Sequence, residues 1–401
     1  MSAPWESILY EDGQVFYERS TAALRYKKMF CWGNHVGGRG WQEFLSDASS
    51  PNFSPYLELQ AGLAPTQLHG YQMPGHSEIT FTQFFGSFEK TENQQLLKAE
   101  WSAAQEKMSD QIEKVAPIDL LESENLRFEK LATKEPAEIM FHGSSWGAVE
   151  KRRREKSGEN IPAGLLFEST KSDQTGDWIE LLETGNYPIS DVTKVPTSWM
   201  VQKEWISLLE ESRQNWLSSL HIGNYYFEIG EKELAIDHWN KSLEFDSSPW
   251  ALRNLAIAQK DSGNLLAALD IYEKAINKFA PELHDAFYEE YLQLLITTEK
   301  YEQLWKIYTE IISVRVPSER IDLAAAKAAL QLGHFEFLAK IFTRTFAQIR
   351  EGESTLVAIW FEYQAILAAQ VSGVPVDDQI RKQVRQSARP PKNIDFRMIE
   401  S

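Results

Sequence analysis

A chain of 401 residues, a quarter of them charged, is long enough for two or three globular domains. Its formal net charge of −17 argues against a nucleic-acid surface, which needs basic patches. The single cysteine, Cys31, excludes an intrachain disulfide and argues against a thiolate zinc site. No apolar run approaches the roughly 20 residues of a membrane-spanning helix. The start, MSAPWESILYEDG, has neither the basic head nor the apolar core of a signal peptide. A cytoplasmic chain without membrane or nucleic-acid partners is therefore expected.

Residues 1–90 read as antiparallel β-structure. Ile8-Leu9-Tyr10, Gln14-Val15-Phe16-Tyr17 and Leu24-Arg25-Tyr26 are short strand-like runs, and Asp12-Gly13 between the first two is a hairpin signal. Phe30-Cys31-Trp32 reads as a buried strand end, broken by Gly33, Gly37, Gly38 and Gly40, since glycine alone takes positive φ without strain. Tyr56 to Gln60 resumes as a strand. Its alternation puts Tyr56, Glu58 and Gln60 on one face, with Leu57 and Leu59 on the other, claiming a core. Pro74-Gly75 reads as a turn and Glu78 to Phe85 as a long alternating strand. Five or six strands are too few for a closed sandwich, so the sheet must either pack on later helices or belong to a longer protein.

Trp32, Trp41, Tyr56, Glu58 and Gln60 lie close together in sequence. Sugars need such a set, because their C–H faces stack on rings and their hydroxyls bond to carboxylates and amides. The competing reading leaves Glu58 on the wet side of an edge strand. His35, in the glycine loop, and His69, after the Glu58 strand, are the nearby imidazoles; a lone loop histidine is more often a surface residue. No metal motif of the HExxH type occurs and no cofactor is expected.

From about residue 91 to 210 the chain reads as a mixed helical linker module. Glu92 to Glu113 is helical, with Leu96, Leu97, Trp101 and Met108 near helical spacing. IDLLESENLRFEKLATKEPAEIMFHG mixes helix and strand signals. GSSWG reads as a tight turn with a buried Trp146, and the basic run Lys151 to Lys156 as a solvated helix end. Asp177 and Gly185 bracket a short helix as N-cap and C-cap.

Residues 211–370 carry a repeat close to the 34-residue tetratricopeptide period. Gly223, Tyr226, Gly230, Ala235, Trp239 and Leu243 fit one unit. Ala256, Gly263, Ala268, Tyr272 and Ile276 repeat it, 33 residues on from Gly230 to Gly263. A degenerate unit has Leu304, Tyr308 and Ile312, and another has Ala326, Gly333, Leu338 and Phe342. Alanines at helix crossings, aromatics between neighbouring pairs and glycines at turns are packing positions. The functional reading of such an array is a groove for a protein or peptide partner. Trp360, Phe361 and Tyr363 read as the start of a capping helix, and residues 371–401 as a tail, partly disordered.

Read together, KMFCWGNHVGGRGWQEFL, PYLELQAG, HGSSWGAVE and IPAGLLF, followed by helical repeats, resemble a bacterial family of domains of unknown function fused to tetratricopeptide repeats. PYLELQAG and MPGHSEITFTQFF also resemble the Glu-bearing strand, turn and last strand of a galactose-mutarotase-like β-sandwich. That resemblance implies an α+β chain: a partial mutarotase-like sandwich, then an all-α repeat array. It implies that Glu58 is the general base of an aldose-epimerase-like or glycoside-processing site in a longer parent. The matching histidine acid would come from an earlier strand, a position that none of His35, His69 and His76 occupies; of these, His35 is the candidate catalytic partner of Glu58. Two functions compete: a sugar-binding protein using Glu58, Trp32, Trp41, Tyr56, Gln60 and His69, and a non-enzymatic repeat scaffold.

Overall fold

The computed structural model describes residues 4–46, 56–141, 143–167, 171–280, 283–347 and 354–397. Pro55 and His142, parts of two of the motifs above, lie outside these. The fold is α+β, with small N-terminal antiparallel sheets followed by a helical array. The chain divides into two compact units, Met1–Ile139 with Pro162–Leu166, and Met140–Ile161 with Phe167–Ser401.

The first unit holds β1 (Trp5–Leu9), β2 (Gln14–Ser20), β3 (Tyr26–Cys31), α1 (Val36–Leu45), β4 (Leu57–Gly62) and β5 (Gln83–Glu89). A 3-10 helix (Thr91–Lys98), α2 (Trp101–Val115) and α3 (Ile118–Ala132) follow. β1, β2 and β5 form one antiparallel sheet in that order, and β3 and β4 form a two-stranded ribbon. The β1–β2 hairpin turns at Asp12-Gly13, where the Asp12 carboxylate accepts the Gln14 N–H at 2.9 Å. The sheet is covered within its own unit: Val15 and Tyr17 pack with Met108, Ile112 and Leu121. Buried Arg19 ties strand to helix by donating to the Ala116 carbonyl at 2.5 Å and pairing with Glu113. Asn93 and Gln111 close a buried amide pair by exchanging bonds of 3.0 and 2.8 Å.

Several local expectations change. The segment after Cys31 is not a glycine loop alone: Gly37, Gly38 and Gly40 lie inside α1. At Gly38 the constraint is space, not φ. A Cβ there would sit 2.0 Å from the Trp32 carbonyl oxygen, so only glycine lets this helix touch the strand end. Phe30 and Cys31 are exposed, not buried. Leu57 and Leu59 are only half-buried, because the β3–β4 ribbon has no fully covered face. The last strand begins at Gln83, five residues later than its pattern suggested, and Glu78 to Thr82 is irregular. Trp101 projects into solvent. IDLLESENLRFEKLA is wholly helical.

The second unit starts with α4 (Trp146–Ser157), α5 (Gly176–Thr184) and α6 (Lys203–Glu211). The basic run lies in the second half of α4, where Arg153 pairs with Glu150 at 2.8 Å and Glu159 at 2.7 Å. The left-handed Gly185 ends α5, whereas Asp177 sits in its first turn and Thr175 takes the N-cap position. Four helix pairs follow: α7 (Trp216–Glu228) with α8 (Lys232–Phe245), α9 (Pro249–Asp261) with α10 (Leu265–Phe279), α11 (Asp285–Thr297) with α12 (Tyr301–Val314), and α13 (Glu319–Leu332) with α14 (Phe335–Ile341). Asn215, Ser248 and Ser318 cap α7, α9 and α13 through their side chains. The repeat positions behave as steric fillers: Ala235, Ala268, Trp239, Tyr272, Tyr308 and Phe342 are all buried. Gly230, Gly263 and Gly333 turn between helices at positive φ, and the degenerate third pair turns on Glu299 at φ 56° instead.

Trp360, Phe361 and Tyr363 lie in the middle of α15 (Thr355–Ser372), not at its start. The described part of the segment read as a tail, residues 371–397, is structured. Asp377 caps α16 (Asp378–Ser387), and beyond it Ile394 and Phe396 are buried.

Candidate functional site

The sequence-predicted residues are only partly brought together. In the β3–β4 register Phe30 stands opposite Glu58 and Lys28 opposite Gln60, so these four share one face. Gln60 Nε2 donates to Glu58 Oε2 at 3.2 Å, and Gln67 Nε2 donates to Gln60 Oε1 at 3.0 Å. Phe30, 42% exposed, offers a ring on that face, with the Lys28 ammonium over it at 5.9 Å from the centroid. Trp32 and Trp41 stack on each other, centroids 6.1 Å apart and planes 19° from parallel. Trp41 is 1% exposed, so its ring is spent on holding α1 and cannot double as a sugar platform. Tyr56 lies just before β4, its N–H bonded to Gln42 Oε1 at 2.9 Å. His35 is exposed at the start of α1, and His69 is exposed with Nδ1 2.7 Å from the Thr66 hydroxyl. Among the described residues no hydrogen bond joins either histidine to Glu58.

A second feature of this unit was invisible in the sequence. A cleft of about 590 Å³ runs along β1 and β3 towards α2, with Trp5, Leu9, Leu96, Met108 and Met29 in its walls and Glu6 and Lys27 at its polar end. Lys27 and Met29 point away from the Glu58 face, because side chains alternate along β3. Glu6 stands directly opposite Glu18 across the β1–β2 ladder, a like-charge pair that one cation must serve. Lys27 Nζ bonds Glu18 Oε2 and the Ser20 hydroxyl, each at 2.5 Å, and Gln83 Nε2 takes Glu18 Oε1 at 3.1 Å. Glu6, 8% exposed, has no hydrogen-bond partner among the described residues. Burial, helped by Glu18 and opposed by Lys27, pushes its carboxyl up to about 7.

On the repeats, polar residues of the first helices of each pair knit neighbours together. Asn254 Nδ2 donates to Asn224 Oδ1 at 2.8 Å, linking α9 to α7, and Arg253 forks onto Glu290 of α11. At the starts of α11 and α13 an open groove of about 750 Å³ is lined by Lys194, His284, Asp285, Glu289, Arg315 and Arg320, among others. Arg315 pairs with Asp285 at 2.7 Å, and the Ser318 hydroxyl donates to Glu289 at 2.6 Å. Both acids are thus engaged, while Lys194 and Arg320 are exposed and have no ion-pair partner among the described residues. Among the described residues no three His, Cys, Asp or Glu side chains converge as a metal site, and no helix is long and apolar enough to cross a membrane.

No protein-family model matches the chain, and no curated protein is similar to it in sequence. Its structure is similar to the crystal structure of a TPR-domain containing protein from Parabacteroides distasonis ATCC 8503, with a TM-score of 0.50 and 15% identity. The match covers 92% of this chain and 55% of that one, so the chain spans about half the length of that protein. At this identity the likeness concerns the fold alone, and it agrees with the packing positions: the helical part is TPR-like.

Proposed function

We propose that the chain is a scaffold whose TPR-like array docks a protein partner by an acidic peptide segment, held in the groove at the starts of α11 and α13. The observation that carries this reading is the pairing pattern there. Arg315 neutralises Asp285, and Glu289 is held by the Ser318 hydroxyl, so Lys194 and Arg320 outnumber the one carboxylate left without a cation and give the groove a net positive charge in an otherwise acidic chain. Such a local reversal of sign selects a partner by complementarity. Stacked helix pairs supply a long, rigid surface at little ordering cost. Peptides selected from a random library by the full chain should be acid-rich. Lys194→Glu/Arg320→Glu should weaken them roughly tenfold or more by calorimetry, with melting unchanged. Equal binding by that variant, or selection of basic peptides, contradicts the reading.

A second reading is favoured by the exposed Phe30 ring across from Glu58 and Gln60: this face contacts a sugar, as the mutarotase-like resemblance implies, with Glu58 as the catalytic base only in a longer parent. Glu58→Ala should then weaken sugar binding roughly ten- to a hundredfold. A folded wild type that binds no mono- or oligosaccharide at millimolar concentration removes it.

A further inference from the structure

The cleft beside β1 is chemically unfinished. Two carboxylates, Glu6 and Glu18, face each other across the ladder, and one ammonium, Lys27, is available between them. That ammonium and Gln83 satisfy both oxygens of Glu18, while Glu6 Oε1 is shut off from solvent without a donor. A buried, unpaired carboxylate is among the least favourable arrangements in a protein, unless a proton or a cation neutralises it. The rest of the cleft is a greasy trough. Leu9, Leu96 and Met108 form its floor, and Trp101, 79% exposed, stands at its mouth. At about 590 Å³ it falls within the size range of small-molecule sites.

We infer that this cleft binds a small organic amine with an apolar or aromatic body, its ammonium donating to Glu6 on one face of β1 and its body passing the free edge of that strand, beside Met29, to reach Leu96 and Met108 on the other face. The ligand supplies the second cation that the Glu6–Glu18 pair lacks, and its ring or chain covers the trough. A carboxylate-bearing ligand would meet Glu6 and Glu18 with the wrong sign. A neutral one would leave the Glu6 oxygen unpaired whenever it is ionised. Without ligand, a proton takes the cation's place on Glu6 below about pH 7, so amine binding there releases that proton. The charged groups acting on Glu6 are Glu18 on β2 and Lys27 on β3; Lys28 also borders the cleft but alternates onto the Glu58 face, and α2 and the 3-10 helix line the cleft with uncharged residues only.

The test is calorimetry on the full chain with 2-phenylethylamine and tryptamine, beside 2-phenylethanol and 3-phenylpropionate as neutral and anionic counterparts. Wild type should prefer the amines over both counterparts roughly ten- to a hundredfold at pH 8, and their affinity should fall as pH drops from 8 to 5.5. Glu6→Gln keeps the shape and removes the charge. It should lose the amine preference and the pH dependence while binding 2-phenylethanol as wild type does. Met108→Ala should weaken all three probe classes together. The inference is overturned if 3-phenylpropionate binds better than the amines. It is equally overturned if Glu6→Gln, folded as judged by circular dichroism, keeps the amine preference, or if wild type takes up no amine at millimolar concentration.

Discussion

Gly223 lies in the interior of α7, where glycine normally costs a helix about 1 kcal/mol relative to alanine. On propensity alone Gly223→Ala should stabilise the chain. The packing says otherwise. A Cβ at Gly223 would sit 2.5 Å from both Cδ1 and Nε1 of Trp239 and 3.1 Å from the Ala235 carbonyl oxygen. Comfortable heavy-atom separations are about 3.5–4.0 Å, so the indole would have to retreat by roughly 1 Å. It cannot do so freely: Trp239 is buried, donates to Asn224 Oδ1 at 3.1 Å, and packs its ring on Phe227 at 5.5 Å. Overpacking of this kind costs about 1–3 kcal/mol, which outweighs the propensity gain. The net loss, up to about 2 kcal/mol, should lower the melting temperature by up to roughly 8 °C. In a Trp239→Leu background the clash disappears, and the same alanine should raise the melting temperature. Thermal unfolding of all four members of this cycle measures the sign change. A higher melting temperature for Gly223→Ala in the otherwise wild-type chain would refute the reasoning.

Ala235→Leu at the α7–α8 crossing, a fully buried site, should cost about 1–3 kcal/mol by overpacking; unchanged thermal melting would show that the repeat register is misassigned. Glu6 titrates at about 7 in the folded chain against an ordinary 4.5, so between these values the folded state holds a proton the unfolded state has lost. Stability should therefore fall as pH rises through that window and level off above it. Glu6→Gln should gain on the order of 2–3 kcal/mol over wild type at pH 8 and nothing at pH 4, as read by denaturant unfolding at the two pH values.

The repeats were legible because their constraints are steric and recur at a fixed spacing. Ala235 and Ala268, and the aromatic series Trp239, Tyr272, Tyr308 and Phe342, occupy equivalent buried places, so their spacing betrays the helix pairs. The turn at Glu299, lacking glycine, is where the pattern weakened. Helix α1 was hidden because three glycines depress helix propensity, and what holds it is tertiary: buried Trp41 and Gln42, and the close pass of Gly38 over Trp32. The last strand was read too early because Gly86 interrupts Gln83–Glu89. In the sheet that glycine faces Tyr17, whose ring fills the space a side chain would take. Of the candidate site, the shared face of Glu58 and Gln60 followed from period-two alternation. The cleft did not, since Glu6, Lys27 and Met108 come from three segments spread over about a hundred residues and a strand glutamate ordinarily reads as solvent-facing.

Hydrogen–deuterium exchange of the full chain, alone and with a library-selected acidic peptide, tests the scaffold reading most directly. Protection should appear at the starts of α11 and α13 and in the loop carrying Lys194, and should vanish in Lys194→Glu/Arg320→Glu. Protection confined to β1, β3 and α2, or its persistence in the charge-reversed chain, would contradict it.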